Sequence, residues 1–187
     1  ILIGMAIPAT NTLLEIYNND DAELDVLVTG YQWKWKYEYL NENGENVSFF
    51  SNLATPQSEI YNSEAKGEHY LLEVDNPLVL PAGKKVRFLI TANDVIHSWW
   101  VPHLAVKKDA IPGFINEAWT KTDQVGIYRG QCAELCGKDH GFMPIVVNVV
   151  SQEEYDDWMA DKQAQAAEIA ALMDLPLVAV DYRCAPD

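Results

Sequence analysis

Cysteine is scarce in this chain: 187 residues carry three, a close pair at Cys132 and Cys136 and a third alone at Cys184. Three thiols cannot staple a domain of this size, so a disulfide framework is excluded and a metal or redox use of the close pair becomes the leading idea. Basic side chains are scarce as well. Lys and Arg number 13 against 28 Asp and Glu, a formal net charge of −15, which excludes nucleic acid as a partner. The same balance favours a cationic partner, metal ions or simple solubility. The apolar opening run, Ile1 to Leu14, has no charge before Glu15 but falls short of the roughly 20 residues that cross a bilayer. It carries neither the basic flank nor the small-residue cleavage site of a signal peptide. No internal repeat is evident.

What is present is a globular composition, 49% apolar, enough for one domain with a proper core. Residues 1–16, starting in the middle of an apolar run, read as the end of a membrane helix, with a buried helix of the domain itself as the alternative. After Asn18-Asn19-Asp20-Asp21 the apolar period switches to two, and short β-like runs recur to about residue 150, which predicts a mainly β sandwich or barrel over 22–150. The plainest run is Tyr31-Gln32-Trp33-Lys34-Trp35-Lys36-Tyr37-Glu38-Tyr39, with an aromatic ring at every odd position. A turn at 41–46 leads into Val47-Ser48-Phe49-Phe50, and 51–67 reads as a polar surface loop. Further strands are predicted at 69–75, 85–92, 95–101, 114–120, 125–130 and 144–150. Ser151 with Glu154 forms a capping box that opens a helix over 151–173, with Tyr155, Trp158 and Met159 on one face. Residues 174–187 give no functional signal, and Cys184 has no assigned use.

The chemistry is concentrated in Gly130-Gln131-Cys132-Ala133-Glu134-Leu135-Cys136-Gly137-Lys138-Asp139-His140-Gly141-Phe142-Met143-Pro144. Cys136, His140 and Met143, with a distant histidine upstream, stand in the ligand order of a single-copper electron-transfer site, where soft sulfur favours copper. That order leaves Cys132 without a role. If the loop folds back, two thiolates can instead bridge two coppers, each ended by one imidazole. The upstream imidazole is then His97, in the run Val95-Ile96-His97-Ser98-Trp99-Trp100-Val101-Pro102, whose rings exclude water. Two thiolates cancel most of the charge of two coppers, which makes burial cheaper. Two alternatives stay open: a disulfide, and tetrahedral zinc on Cys132, Cys136, His140 and His97, which has no use for Met143. His69 and His103 fit no liganding pattern and read as surface or packing residues.

Five segments together resemble the cytochrome c oxidase subunit II family: YQWKWKYEY at 31–39, LLEVDNPLVLP at 71–81, DVIHSWWVP at 94–102, VKKDAIPGF at 106–114 and GIYRGQCAELCGKDHGFMPIVV at 126–147. The resemblance covers about residues 1–160, and the last motif is highly specific. It implies a cupredoxin-like Greek-key fold after the end of a second transmembrane helix, anchored in a membrane with the domain on the outer side, in periplasm or intermembrane space. It also implies a binuclear copper centre (CuA) on the side chains of His97, Cys132, Cys136, His140 and Met143 and on the Glu134 carbonyl. The Glu134 carboxylate would reach a magnesium ion at the contact with oxidase subunit I. Trp33 would be the ring through which electrons arrive from cytochrome c, and Glu38, Asp75 and Asp94 would be docking carboxylates. The implied function is acceptance of single electrons from reduced cytochrome c and delivery to the haem of subunit I, where oxygen is reduced to water. A CuA domain of nitrous oxide reductase and a copper-delivery protein are the alternatives. His103 departs from the small residue usual at its position, and the absence of Cys-x-x-Cys-His gives no support for covalent haem.

Overall fold

The computed structural model describes residues 1–40 and 47–173. The turn read at 41–46 and the tail 174–187 with Cys184 lie outside the described residues. Ten strands form two five-stranded sheets. The first has the order β3-β2-β1-β5-β8, built from Val47–Ser51, Lys34–Leu40, Leu24–Tyr31, Lys85–Ala92 and Asn116–Lys121. The second has the order β4-β10-β9-β6-β7, built from Leu78–Pro81, Pro144–Val150, Gly126–Cys132, His97–Val101 and Val106–Ala110. Each sheet contains one parallel pair, β1 with β5 and β10 with β4, among otherwise antiparallel neighbours.

The alternation read in the sequence is what packs the sheets together. Along β2 every second residue, Trp35, Tyr37 and Tyr39, is buried, as are Val26 and Val28 of β1 and Phe88 and Ile90 of β5. Trp99, Val101, Ile145 and Val147 face them from the second sheet, with Phe88 and Trp99 rings 4.8 Å apart between centroids. Removing a large side chain of this kind from water stabilises the fold by roughly 1.5–3 kcal/mol. The two inner faces therefore make one core.

Several sequence expectations shift. The run 31–39 is not one strand: β1 ends at Tyr31, the chain turns at Gln32 and Trp33, and β2 starts at Lys34. The aromatic alternation spans a hairpin, so only Trp35, Tyr37 and Tyr39 of its rings are fully buried. The strand predicted at 69–75 is a turn region, where Leu72 N–H bonds the His69 carbonyl and Leu71 has a φ of 59°. The strand lies just after it, at β4. β7 was not predicted, because its centre, Lys107-Lys108-Asp109, is polar; pairing with β6 creates it. Gln57–Ile60 form one helical turn (α2) inside the loop 51–67.

Two helices flank the sandwich. α1, Leu2–Tyr17, buries none of its residues in this chain, and no helix among the described residues is long and apolar enough to cross a membrane. Its end is held to the first sheet, since Trp119 Nε1 donates to the Ile16 carbonyl at 2.8 Å and Lys85 Nζ to that of Asn18 at 2.8 Å. α3, Gln152–Met173, starts on the predicted capping box, with Ser151 N–H and Oγ both donating to Glu154 Oε2. Trp158 packs on Tyr39 and Phe49, at 5.3 and 6.0 Å between ring centroids.

Candidate metal centre

All five side chains singled out as ligands converge at one end of the second sheet. His97 opens β6, Cys132 closes β9, Cys136 lies in the following loop, His140 in a short 3-10 turn, and Met143 directly before β10. Strand pairing sets Trp99 beside Cys132, which brings the first histidine and the first thiol together from segments 35 residues apart.

The contacts fall into two linked halves. His97 Nδ1 is 3.9 Å from Cys132 Sγ, and His140 Nδ1 is 3.4 Å from Cys136 Sγ. The two Sγ atoms are 3.9 Å apart and both thiols are free, so the disulfide alternative does not describe this site. Met143 Sδ lies 3.5 Å from Cys136 Sγ, and the Glu134 carbonyl accepts from Cys132 Sγ at 3.4 Å. His97 is 0% exposed, Met143 2%, Cys136 4% and Cys132 7%, while His140 is half-buried, so four of the five donors sit under the surface. The metal-ligating atoms of His97, Cys132 and Cys136 all lie within 4.8 Å of one another, close enough to hold a metal ion.

Burial opposes ionisation of Cys132, but hydrogen bonding to His97 and to the backbone at Ser98 and Glu134 outweighs it and lowers the thiol to about 7. Burial, then the neighbouring charge of Cys132, pushes Cys136 upward. The two thiols are thus set apart, Cys132 toward the thiolate and Cys136 toward the protonated form, and a metal ion binding both would displace the remaining protons. The donor chemistry, two thiols, a thioether and two imidazoles gathered at one place, fits a soft metal.

Residues around the donors explain how they are held. Trp35 lines the floor: its indole packs edge-on to His97 at 5.9 Å between centroids, and its Nε1 donates to the Met143 carbonyl at 3.4 Å. Gly30 on β1 leaves the space His97 fills, since a Cβ there would lie 2.8 Å from His97 Cδ2. Asp94 Oδ1 accepts from His97 Nε2 at 2.9 Å, which leaves Nδ1 to face the sulfur. Trp33, half-buried, lies against the loop: a Cβ on Gly137 would be 3.0 Å from Trp33 Cζ2. None of these supporting roles was read from the sequence. The Asp94-x-x-His97 spacing was the one signal for the histidine's partner.

The remaining predicted residues, Glu134 apart, lie elsewhere. Glu38 is on β2 with Lys36 Nζ 3.7 Å away. Asp75 pins a loop by accepting from Asn52 N–H, Asn52 Nδ2 and Asn76 N–H. The Glu134 residue is exposed, as is His103 in the turn after β6, and His69 lines a shallow cavity with Glu59, Glu68 and Glu73.

A two-sheet sandwich with a buried sulfur and imidazole cluster at one end defines a cupredoxin-like metal domain. A family model described as cytochrome c oxidase subunit II, periplasmic domain, matches residues 24–150, and the chain belongs to that family. Among curated relatives, a probable cytochrome c oxidase subunit 2 of Rickettsia bellii is 44% identical over 167 residues, covering 89% of this chain and 60% of the relative. The corresponding protein of Rickettsia felis is also 44% identical, with 50% of it covered, so the chain spans about half to three fifths of these relatives' length. The solved periplasmic domain of subunit II of cytochrome oxidase from Bradyrhizobium japonicum superposes with a TM-score of 0.67 at 40% identity, covering 77% of this chain and 96% of that one. A second solved structure, a mixed disulfide intermediate between a thioredoxin-like protein and a subunit II domain, gives 0.64 at 38% identity, covering 80% of this chain and 96% of that one.

Proposed function

We propose that this domain is the CuA module of a haem-copper terminal oxidase, on the outer side of the membrane. His97, Cys132, Cys136, His140 and Met143 hold two coppers with the Glu134 carbonyl, and the exposed Glu134 carboxylate serves a magnesium ion at the contact with subunit I. When bound, the copper pair supplies a site that takes up and gives away one electron at a time. The observation that carries this reading is the paired arrangement of two free thiols 3.9 Å apart, each with one imidazole nitrogen beside it.

The chain's own residues do three things for such a site. His97 and Cys132 are fixed by strand ends, and Cys136 and His140 by the short connection between β9 and β10, so they need little rearrangement when the charge changes. Trp35, Trp99 and Met143 keep water out. Trp33, half-buried against Gly137, provides the ring through which electrons from reduced cytochrome c reach the site on the way to the haem of subunit I. The excess of 28 acidic over 13 basic side chains steers a basic partner. Glu38 and Asp75 are docking carboxylates in this reading. Asp94 is the third, and it and Asp75 each also hold a loop through hydrogen bonds of their own.

The family relation favours the oxidase over a nitrous oxide reductase module. Burial of the donors argues against a copper-delivery protein, which needs exchangeable ligands. Zinc leaves the Met143 thioether without purpose. Electron paramagnetic resonance of the copper-loaded chain tests the proposal: one electron coupled to two copper nuclei is expected. Coupling to a single nucleus, or uptake of one metal per chain, overturns it.

A further inference from the structure

We infer that Gln32 is a positioning residue that ties the histidine half of the metal site to its thiol half. Gln32 sits in the two-residue turn between β1 and β2, which belong to the first sheet, whereas the proposed ligands lie on β6, on β9 and in the connection from β9 to β10, all parts of the second. Its backbone N–H donates to Asp94 Oδ2 at 2.7 Å, and Asp94 Oδ1 takes the Nε2 of His97 at 2.9 Å. Its side-chain Nε2 donates to the Cys136 carbonyl at 2.8 Å. One residue thus grips the loop before β6 through its main chain and the loop after β9 through its side chain. No other hydrogen bond among the described residues joins the Asp94 and Cys136 loops through a single residue.

Gly137 makes the grip close, since a Cβ there would lie 3.1 Å from Gln32 Nε2. Cys132 has separate support, because Ala133 N–H bonds the Ser98 carbonyl at 2.9 Å. The second thiol is therefore the one that depends on Gln32. Hydrogen bonds that orient ligands in this way typically matter by an order of magnitude or more in metal affinity.

This inference rests on the copper reading, so its test has one arm without metal. Gln32→Met keeps the chain length and removes the donor while leaving the backbone bond to Asp94. Gln32→Lys returns a donor on a flexible stem. In the metal-free full chain, iodoacetamide labelling of Cys136, followed by peptide mass spectrometry, should run about fivefold faster in Gln32→Met, as expected for losing one hydrogen bond that holds a loop closed. Cys132 labelling should stay near wild type, and Gln32→Lys should recover most of the Cys136 protection. In the copper-loaded chain, release of copper to a chelator should be roughly tenfold faster in Gln32→Met, with a displaced reduction potential. Equal Cys136 labelling in wild type and Gln32→Met, with circular dichroism unchanged, overturns the inference. Failure of the wild-type chain to take up copper overturns the copper reading instead, and the labelling arm still decides the role of Gln32.

Discussion

His97 and Asp94, three residues apart at the head of β6, are joined by a 2.9 Å contact between Nε2 and Oδ1, and this fixes which ring nitrogen faces the sulfur of Cys132. The carboxylate is itself aimed by two main-chain donors, Gln32 N–H at 2.7 Å and Val95 N–H at 2.7 Å. A fully buried imidazole is thereby oriented from outside the cluster.

Asp94→Asn is expected to keep the fold and weaken metal binding roughly tenfold or more, measured by competition with a chelator. In the metal-free chain a pH signature accompanies it. Despite burial, bonding to His97 holds Asp94 below its ordinary 3.8, and bonding to Cys132 and Asp94 holds His97 above its ordinary 6.5. The Asp94 contribution is complete above 3.8 and is lost as pH falls through its lowered value. The His97 contribution is complete below 6.5 and is lost as pH rises through its raised value. The difference in stability between wild type and Asp94→Asn should therefore be greatest between these values, as read by urea unfolding at a series of pH.

Gly137→Ala is expected to destabilise the domain by about 1–3 kcal/mol, since Gly137 has a φ of 123° that L side chains rarely adopt. The new Cβ would also press on Trp33 Cζ2 at 3.0 Å. Trp33 fluorescence should change together with the melting temperature. A shift in melting temperature without a change in the indole signal would mean that the ring and this backbone do not touch.

Cys132→Ser leaves Cys136, His140, His97 and Met143 able to hold one copper but removes one of the two thiols that the proposal uses to bridge a copper pair. Copper content should fall from two per chain to one, with the spectrum of a mononuclear site. Met143→Leu keeps a nearly equal apolar volume and should retain copper while its reduction potential moves.

Trp33→Phe and Trp35→Phe should separate two roles that the sequence set side by side. Trp35 is 0% exposed and its Nε1 meets the Met143 carbonyl, so its replacement leaves a buried acceptor unpaired at about 1–3 kcal/mol. Trp33, half-buried beside Gly137, should lose little stability but slow electron uptake from cytochrome c in stopped-flow measurements. Equal kinetic losses in both variants would remove the special role of Trp33.

Much was determined by the sequence alone. Period-two alternation depends only on strand geometry and a short apolar run of β-branched residues favours a buried strand, so β5 and β10 fall at the predicted 85–92 and 144–150, and the Ser151 and Glu154 cap needs only neighbours three residues apart. Cys132, Cys136, His140 and Met143 lie within twelve residues, where one loop can gather them. The aromatic run at 31–39 shows where such reading ends: the same alternation serves one long strand or two strands around a turn, and only packing against the second sheet selects the hairpin. β7 likewise exists because β6 offers it hydrogen bonds. The supports of the site come from segments far apart in sequence, Gly30 and Trp35 under His97, Gln32 on Cys136, Trp33 on Gly137. No local pattern encodes them, because each is a contact between sheets whose relative placement is settled by burying the core as a whole.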